Sequence, residues 1–143
     1  MNITKAEVEE FDTINSYLEK MQMTKLNQKD FDFEPRKIYV IKIDKKVIAF
    51  ICYLITIENV ELEAIYVDPA FRQRNYATKL LEFMIKNSLS FNCNSVFLEV
   101  RETNLSAINL YKKNGFEIIN CRMKYYGSEN GLVMKKELRC NDE

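Results

Sequence analysis

The sequence predicts one mixed α/β (α+β) domain over residues 1–143, with a central mixed β-sheet of six to seven strands and helices on both faces. Three observations carry that expectation. Runs rich in Ile, Val, Phe and Tyr are interleaved with stretches whose apolar residues recur every three or four positions. Two β-rich runs, 37–43 and 47–55, flank the polar Asp44-Lys45-Lys46, the pattern of a hairpin. Further along, helical patterns separate the strands, which calls for a parallel crossover in the same sheet.

In chain order, 2–4 reads as a short first strand. Residues 7–20 read as a helix, because Val8, Phe11, Ile14, Tyr17 and Leu18, with Met21 beyond, fall at helical spacing. The segment 23–36 is less regular. Asn27 is placed to cap a short helical turn, and Phe31-Asp32-Phe33-Glu34-Pro35 reads as a loop before the sheet. Phe31 and Phe33 suit either core packing or the wall of a substrate site. After the hairpin, 60–67 forms a third strand of an antiparallel meander. A helix follows to about Leu89, then a compact strand at 95–100, parallel to the one ending at Val67. Asn104 caps the next helix and Asn114-Gly115 stops it. Residues 116–123 and 132–138 are the last two strands, with 124–131 as a turn-rich connection.

Composition excludes several function classes. Lys plus Arg and Asp plus Glu are 21 each, and no block of five basic residues occurs, so a nucleic-acid partner is not expected. Residues 1–7 lack an apolar signal core and no apolar run approaches membrane-spanning length. A cytoplasmic protein without a membrane partner is expected. Cys52, Cys93, Cys121 and Cys140 are widely spaced, which reads as free thiols rather than a disulfide framework or zinc site. The chain has no histidine. That removes Ser-His-Asp and Cys-His catalysis and every histidine-based metal site, and no metal is expected. A general base must be a carboxylate, a lysine, a tyrosine or a water held by one of them.

The chain is organised around the stretch 65–81. Ile65-Tyr66-Val67 ends a buried strand and Pro69 stops it. The polar loop Arg72-Gln73-Arg74-Asn75 leads into a helix with apolar residues at Ala77, Leu80, Leu81, Met84 and Ile85. Strand, tight loop and helix N-terminus gather free backbone N–H groups at the positive end of a helix dipole, a geometry that holds phosphate or pyrophosphate. Arg72-x-x-Asn75-x-Ala77 resembles the Arg/Gln-x-x-Gly-x-Gly/Ala signature of the GNAT superfamily of N-acetyltransferases. Asn75 stands where that family has Gly, and Asn is among the side chains that best tolerate positive φ.

The resemblance extends over nearly the whole chain. Leu98-Glu99-Val100-Arg101, Asn104, Ala107-Ile108, Leu110-Tyr111, Gly115-Phe116, Arg122, Tyr125-Tyr126 and Met134 are similar to the ribosomal-protein-alanine N-acetyltransferase (RimI-like) branch. Two departures touch the acceptor side. A Phe-Pro-Trp element before the hairpin is missing, and Asn130-Gly131 replaces the usual Asp-Ala.

What the resemblance implies is an acetyl-CoA-dependent transfer to a primary amine, at a protein or peptide N-terminus. The alternatives are a small amine (polyamine, amino acid or drug) as acceptor, or a non-catalytic acyl-CoA-binding module. It implies that acetyl-CoA meets Ile65, Tyr66 and Val67 through their backbone, Arg72, Gln73, Arg74, Asn75, Tyr76, Ala77 and Thr78 at the loop and helix start, and Asn104 and Tyr111. Either arginine suits the phosphates. Glu99, near a strand end on the face opposite Val96, Leu98 and Val100, matches the branch's catalytic base. A solvated carboxylate or an ion pair with Arg101 or Arg122 is the plainer reading. Glu61 and Glu63 compete as bases from the preceding strand. Tyr111 matches the acid that protonates the departing sulfur, and equally suits an apolar helix face. Phe31, Glu63, Tyr125 and Tyr126 are the candidate acceptor-binding residues.

Overall fold

The computed structural model describes residues 2–139, without the side chains of Tyr125 and Tyr126. Its strands are β1 (Ile3–Lys5), β2 (Arg36–Ile43), β3 (Lys46–Ile55), β4 (Asn59–Val67), β5 (Ser95–Arg101), β6 (Glu117–Tyr126) and β7 (Glu129–Glu137). The helices are α1 (Phe11–Lys20), α2 (Gln28–Asp32), α3 (Tyr76–Ser90) and α4 (Leu105–Lys113). The strands form a seven-stranded sheet in the order β1-β2-β3-β4-β5-β7-β6. β4 and β5 run parallel and the hairpins antiparallel, so the sheet is mixed as expected. No described helix is long and apolar enough to cross a membrane.

The chain divides into two compact units. The first comprises Met1–Leu54 with Glu63–Met84. Here Ile14, Tyr17 and Leu18 of α1 pack with Ile38, Val40, Phe50, Cys52 and Ala64 on one sheet face. On the other face Phe83 of α3 meets Tyr39 at 4.6 Å between ring centres. Helices therefore cover both faces of these strands. The β2–β3 turn is made by Asp44 and Lys45 at φ 51° and 66°, the twist that a two-residue hairpin requires. The expected helix at 7–20 begins instead as a 3₁₀ turn, Val8–Glu10, and becomes α-helical at Phe11. Glu10 explains the irregular start. Its Oε1 accepts the Glu7 N–H at 2.8 Å while Oε2 pairs with Lys42 Nζ at 2.7 Å. Asn27 caps α2 as expected, by accepting the Asp30 N–H. That helix takes in Phe31 and Asp32, which were expected in a loop.

The second unit comprises Ile55–Leu62 with Ile85–Glu143. β4 enters it paired with β5 through Asn59–Ser95, Val60–Val96 and Glu61–Phe97. Asn104 caps α4 and Gly115, at φ 93°, ends it. The final hairpin differs from expectation. β6 runs to Tyr126 and β7 starts at Glu129, leaving Gly127-Ser128 as the turn. Tyrosines favour strands, and Gly127 at φ 68° supplies the tight reversal, so the connection shortens. Tyr125 and Tyr126 thus belong to β6 rather than to a loop. β6 also carries bulges at Ile118/Asn120 and Arg122/Tyr126, with Lys124 at φ 52°.

Candidate active site

In the first unit, the end of β4 is fastened before the loop begins. The Asp68 N–H donates to Ile48 O at 2.8 Å, and its carboxylate accepts the Ala70 N–H at 3.0 Å, which starts the 3₁₀ turn Pro69–Phe71. That backbone donor holds the Asp68 carboxyl below its ordinary pKa. The Tyr17 hydroxyl lies 2.7 Å from Val47 O and 3.2 Å from Asp68 Oδ2. Burial, then the Asp68 charge, push it up to about 12. Arg72 turns back, its Nε donating to Val67 O at 2.9 Å and its guanidinium lying 5.2 Å from the Tyr66 ring centre. Arg74 lies over Phe71 at 5.5 Å.

The loop itself has the backbone shape its sequence suggests. Gln73 and Asn75 sit at φ 63° and 65°. Asn75 O accepts the Lys79 N–H at 3.0 Å, the first turn of α3. The N–H groups of Tyr76, Ala77 and Thr78 precede that bond and face the end of the helix. Residues 72–75 are exposed, while the Tyr76 side chain is buried, leaving only its backbone for a ligand. Exposed left-handed turns leading into a helix N-terminus form a concave set of N–H donors suited to an anion.

In the second unit, Val96, Leu98 and Val100 of β5 face the core and Glu99 faces the other way. Arg122 Nη1 lies 2.9 Å from Glu99 Oε1. Glu99 Oε2 is buried with no hydrogen-bond partner among the described residues. The register explains the reach. Gly131 lies opposite both Arg101 of β5 and Arg122 of β6, so Arg122 extends diagonally past a residue that has no side chain. Tyr111 is 8% exposed on α4, its ring 5.7 Å from that of Phe116. Asn104 Oδ1 accepts the Ala107 N–H at 3.3 Å and stays exposed.

The competing carboxylates are placed differently. Glu61 is exposed. Glu63 is held on both oxygens by Arg36, at 2.8 and 3.1 Å, and its Oε1 also accepts from Cys52 Sγ at 3.2 Å. Burial raises the Cys52 thiol well above its ordinary value, so it stays protonated. Arg36 also donates to Asp30 O at 3.0 Å, binding α2 to the sheet. Phe31 stacks on Phe11 at 3.5 Å and packs, partly buried, against the α1 core. The backbone of Tyr125 and Tyr126 is in β6, and their side chains lie outside the described residues, as does Cys140. Sequence reasoning missed Arg36 and Asp68. The second had a signal, since Asp before Pro is a common turn opener.

Comparison with known proteins places the chain among acetyltransferase-like sequences and structures. Relatives include the ribosomal protein bS18-alanine N-acetyltransferase of Haemophilus ducreyi, 37% identical over 93 residues, 62% of this chain and 64% of that protein. The Escherichia coli protein of the same name is 31% identical over 62% and 63%. The chain thus matches just under two thirds of the length of these curated relatives. Among solved structures, the E. coli ribosomal-protein-S18-alanine N-acetyltransferase has a TM-score of 0.85 at 23% identity, covering 99% and 96% of the two chains. An aminoglycoside 6'-N-acetyltransferase complexed with coenzyme A also reaches 0.85, at 14% identity and full coverage of both. At those identities the likeness carries the fold. The sequence model of the acetyltransferase (GNAT) family matches residues 5–116, most of the chain, and the chain belongs to that family.

Proposed function

We propose that this chain is an acetyl-CoA-dependent N-acetyltransferase whose acceptor is a primary amine at the N-terminus of a protein or peptide. The observation that carries this reading is Glu99, with one carboxylate oxygen held by Arg122 and the other buried without a partner among the described residues. Unpaired buried oxygens are rare in folded proteins, and one on a strand-end carboxylate is suited to meet a proton that arrives with a substrate. The names of the curated relatives, bS18-alanine N-acetyltransferases, support the choice of acceptor.

The shape of the loop supports acetyl-CoA as the donor. The left-handed turns at Gln73 and Asn75, followed by the first-turn N–H groups of α3 at Tyr76, Ala77 and Thr78, suit a pyrophosphate. Arg72 and Arg74 supply neighbouring positive charge, and the backbone of Ile65 to Val67 suits the pantetheine arm. When bound, acetyl-CoA supplies the acyl group as a thioester. Glu99 Oε2 takes the proton of the incoming ammonium, directly or through a water, and so leaves a nucleophilic amine. Tyr111 Oη would give its proton to the leaving sulfur as the C–S bond breaks, and the second proton that the amine nitrogen sheds as the C–N bond forms would restore it through water. Arg122 keeps the Glu99 side chain in one orientation throughout. We place this work in the reducing cytoplasm, in keeping with free thiols at Cys52, Cys93 and Cys121.

The test is mass spectrometry of the protein with acetyl-CoA and a panel of N-terminal peptides, polyamines, amino acids and aminoglycosides. Acetylation of a peptide α-amine is the expected result. Turnover of small amines alone would replace the peptide reading, and no turnover with retained binding of acetyl-CoA would leave a non-catalytic module.

A further inference from the structure

We propose that Asn130 is a positioning residue that locks the β6–β7 hairpin to the β5–α4 loop, and that it sets acceptor binding in this chain through its pairing with Glu102. Asn130 Oδ1 accepts the Lys124 N–H at 2.7 Å, and its Nδ2 donates to Glu102 Oε2 at 3.1 Å. The Glu102 N–H donates in turn to Asn130 O at 3.1 Å. One residue along, Glu129 is hydrogen-bonded to Thr103 Oγ1 and paired with Arg101 Nη1 at 3.4 Å. Residues 101–103 are therefore clipped to residues 129–130 side by side.

The chemistry of the clip selects its residues. A backbone N–H can only donate and an ionised carboxylate can only accept, so the group between Lys124 and Glu102 must do both. An amide does both. Asp, the residue the resembling branch carries there, keeps the bond to Lys124 N–H but turns a second carboxylate toward Glu102. Asn130 and Glu102 thus act as a matched pair. Lys124 is also where the chain takes its left-handed φ of 52°, inside the bulge between Arg122 and Tyr126. The clip therefore fixes the strand that carries Arg122, the partner of Glu99, and the backbone of Tyr125 and Tyr126.

The role rests on the transferase reading above, and the experiment separates the two. Three variants are compared with the unmodified protein: Asn130→Asp, Glu102→Gln and the double variant. Hydrogen exchange of the Glu102 amide reports on the clip without any activity. In Asn130→Asp it should exchange about tenfold faster, and KM for an N-terminal peptide should rise about threefold to tenfold while KM for acetyl-CoA holds. Added salt should ease both changes, because the repulsion is between exposed charges. Glu102→Gln alone should be near the unmodified protein, since its side-chain carbonyl oxygen still accepts. The double variant should restore exchange and KM together, the new amide at position 102 now donating to the new carboxylate at position 130. A double variant no better than Asn130→Asp, or exchange restored with peptide KM unmoved in every variant, overturns the proposal. Absence of acetyl transfer in the unmodified protein overturns the transferase reading and this role with it, and the exchange pattern distinguishes that failure from a broken clip.

Discussion

Arg122 Nη1 stands 2.9 Å from Glu99 Oε1, while the second oxygen of that carboxylate is buried with no hydrogen-bond partner among the described residues. A buried carboxylate oxygen without a partner costs roughly 1–3 kcal/mol, so a proton-bearing group reaching Glu99 Oε2 would be favoured there. Glu99→Gln keeps the shape and removes the proton acceptor. It should lower kcat by on the order of 10²-fold and leave acetyl-CoA affinity nearly unchanged, read by steady-state kinetics and calorimetry. Tyr111→Phe should behave likewise. An undiminished rate for Glu99→Gln, with a collapse in Glu61→Gln, would move the base to β4.

Glu63 accepts from Arg36 on both oxygens and from Cys52 on one, so it is expected to act in the fold. Arg36→Met strands a half-buried carboxylate and should destabilise the protein by about 3 kcal/mol in urea unfolding at unchanged slope. Replacing both partners, Arg36→Met with Glu63→Leu, should recover most of that loss. Glu63→Gln should leave kcat within about threefold of the unmodified enzyme. A fall as deep as that expected for Glu99→Gln would give Glu63 the chemistry.

The fold was largely legible because its signals are local. Runs rich in β-branched and aromatic residues announced β2 to β5, helical spacing announced α1, α3 and α4, and single polar residues announced the caps at Asn27 and Asn104. The backbone shape of the 72–75 loop was legible for the same reason, since Asn75 was expected to accept positive φ and does. What escaped depends on partners far apart in sequence. Arg36 finds Glu63 across 27 residues, and Tyr17 finds Asp68 across 51. Asn130 reads as a departure from the branch that the sequence resembles until Glu102, 28 residues earlier, is seen beside it. The last hairpin was misjudged because Gly127 and Ser128 suffice for a reversal that the polar run 124–131 suggested would be longer.

The left-handed backbone of Asn75 sets the shape of the loop ahead of α3. Asn75→Gly should bind acetyl-CoA equally or more tightly, because it relieves a strain of about 1 kcal/mol. Asn75→Val should weaken binding about tenfold or more, since a β-branched side chain resists that φ. Titration calorimetry separates the two, and equal affinities for Val and Asn would show that this turn is not used for binding.

Tyr17 links α1 to the residue that opens the same loop, and its titration gives a test of that link. Its hydroxyl is pushed from an ordinary 10 up to about 12, first by burial and then by the Asp68 charge. The folded pKa lies above the unfolded one, so the protonated phenol favours the folded state. That stabilisation is fully present below about pH 10 and drains away as pH climbs through about 12. Tyr17→Phe lacks the titrating group and the hydroxyl's contacts with Val47 O and Asp68. The stability difference between the two proteins, measured by urea unfolding, should be flat up to about pH 10 and shrink steadily above it. Phenolate absorbance should show one tyrosine fewer titrating late in the variant. A difference that stays level to pH 12 would mean that the Tyr17 hydroxyl gains nothing from its folded surroundings, and the anchor of the loop would then have to be the Asp68–Ala70 turn alone.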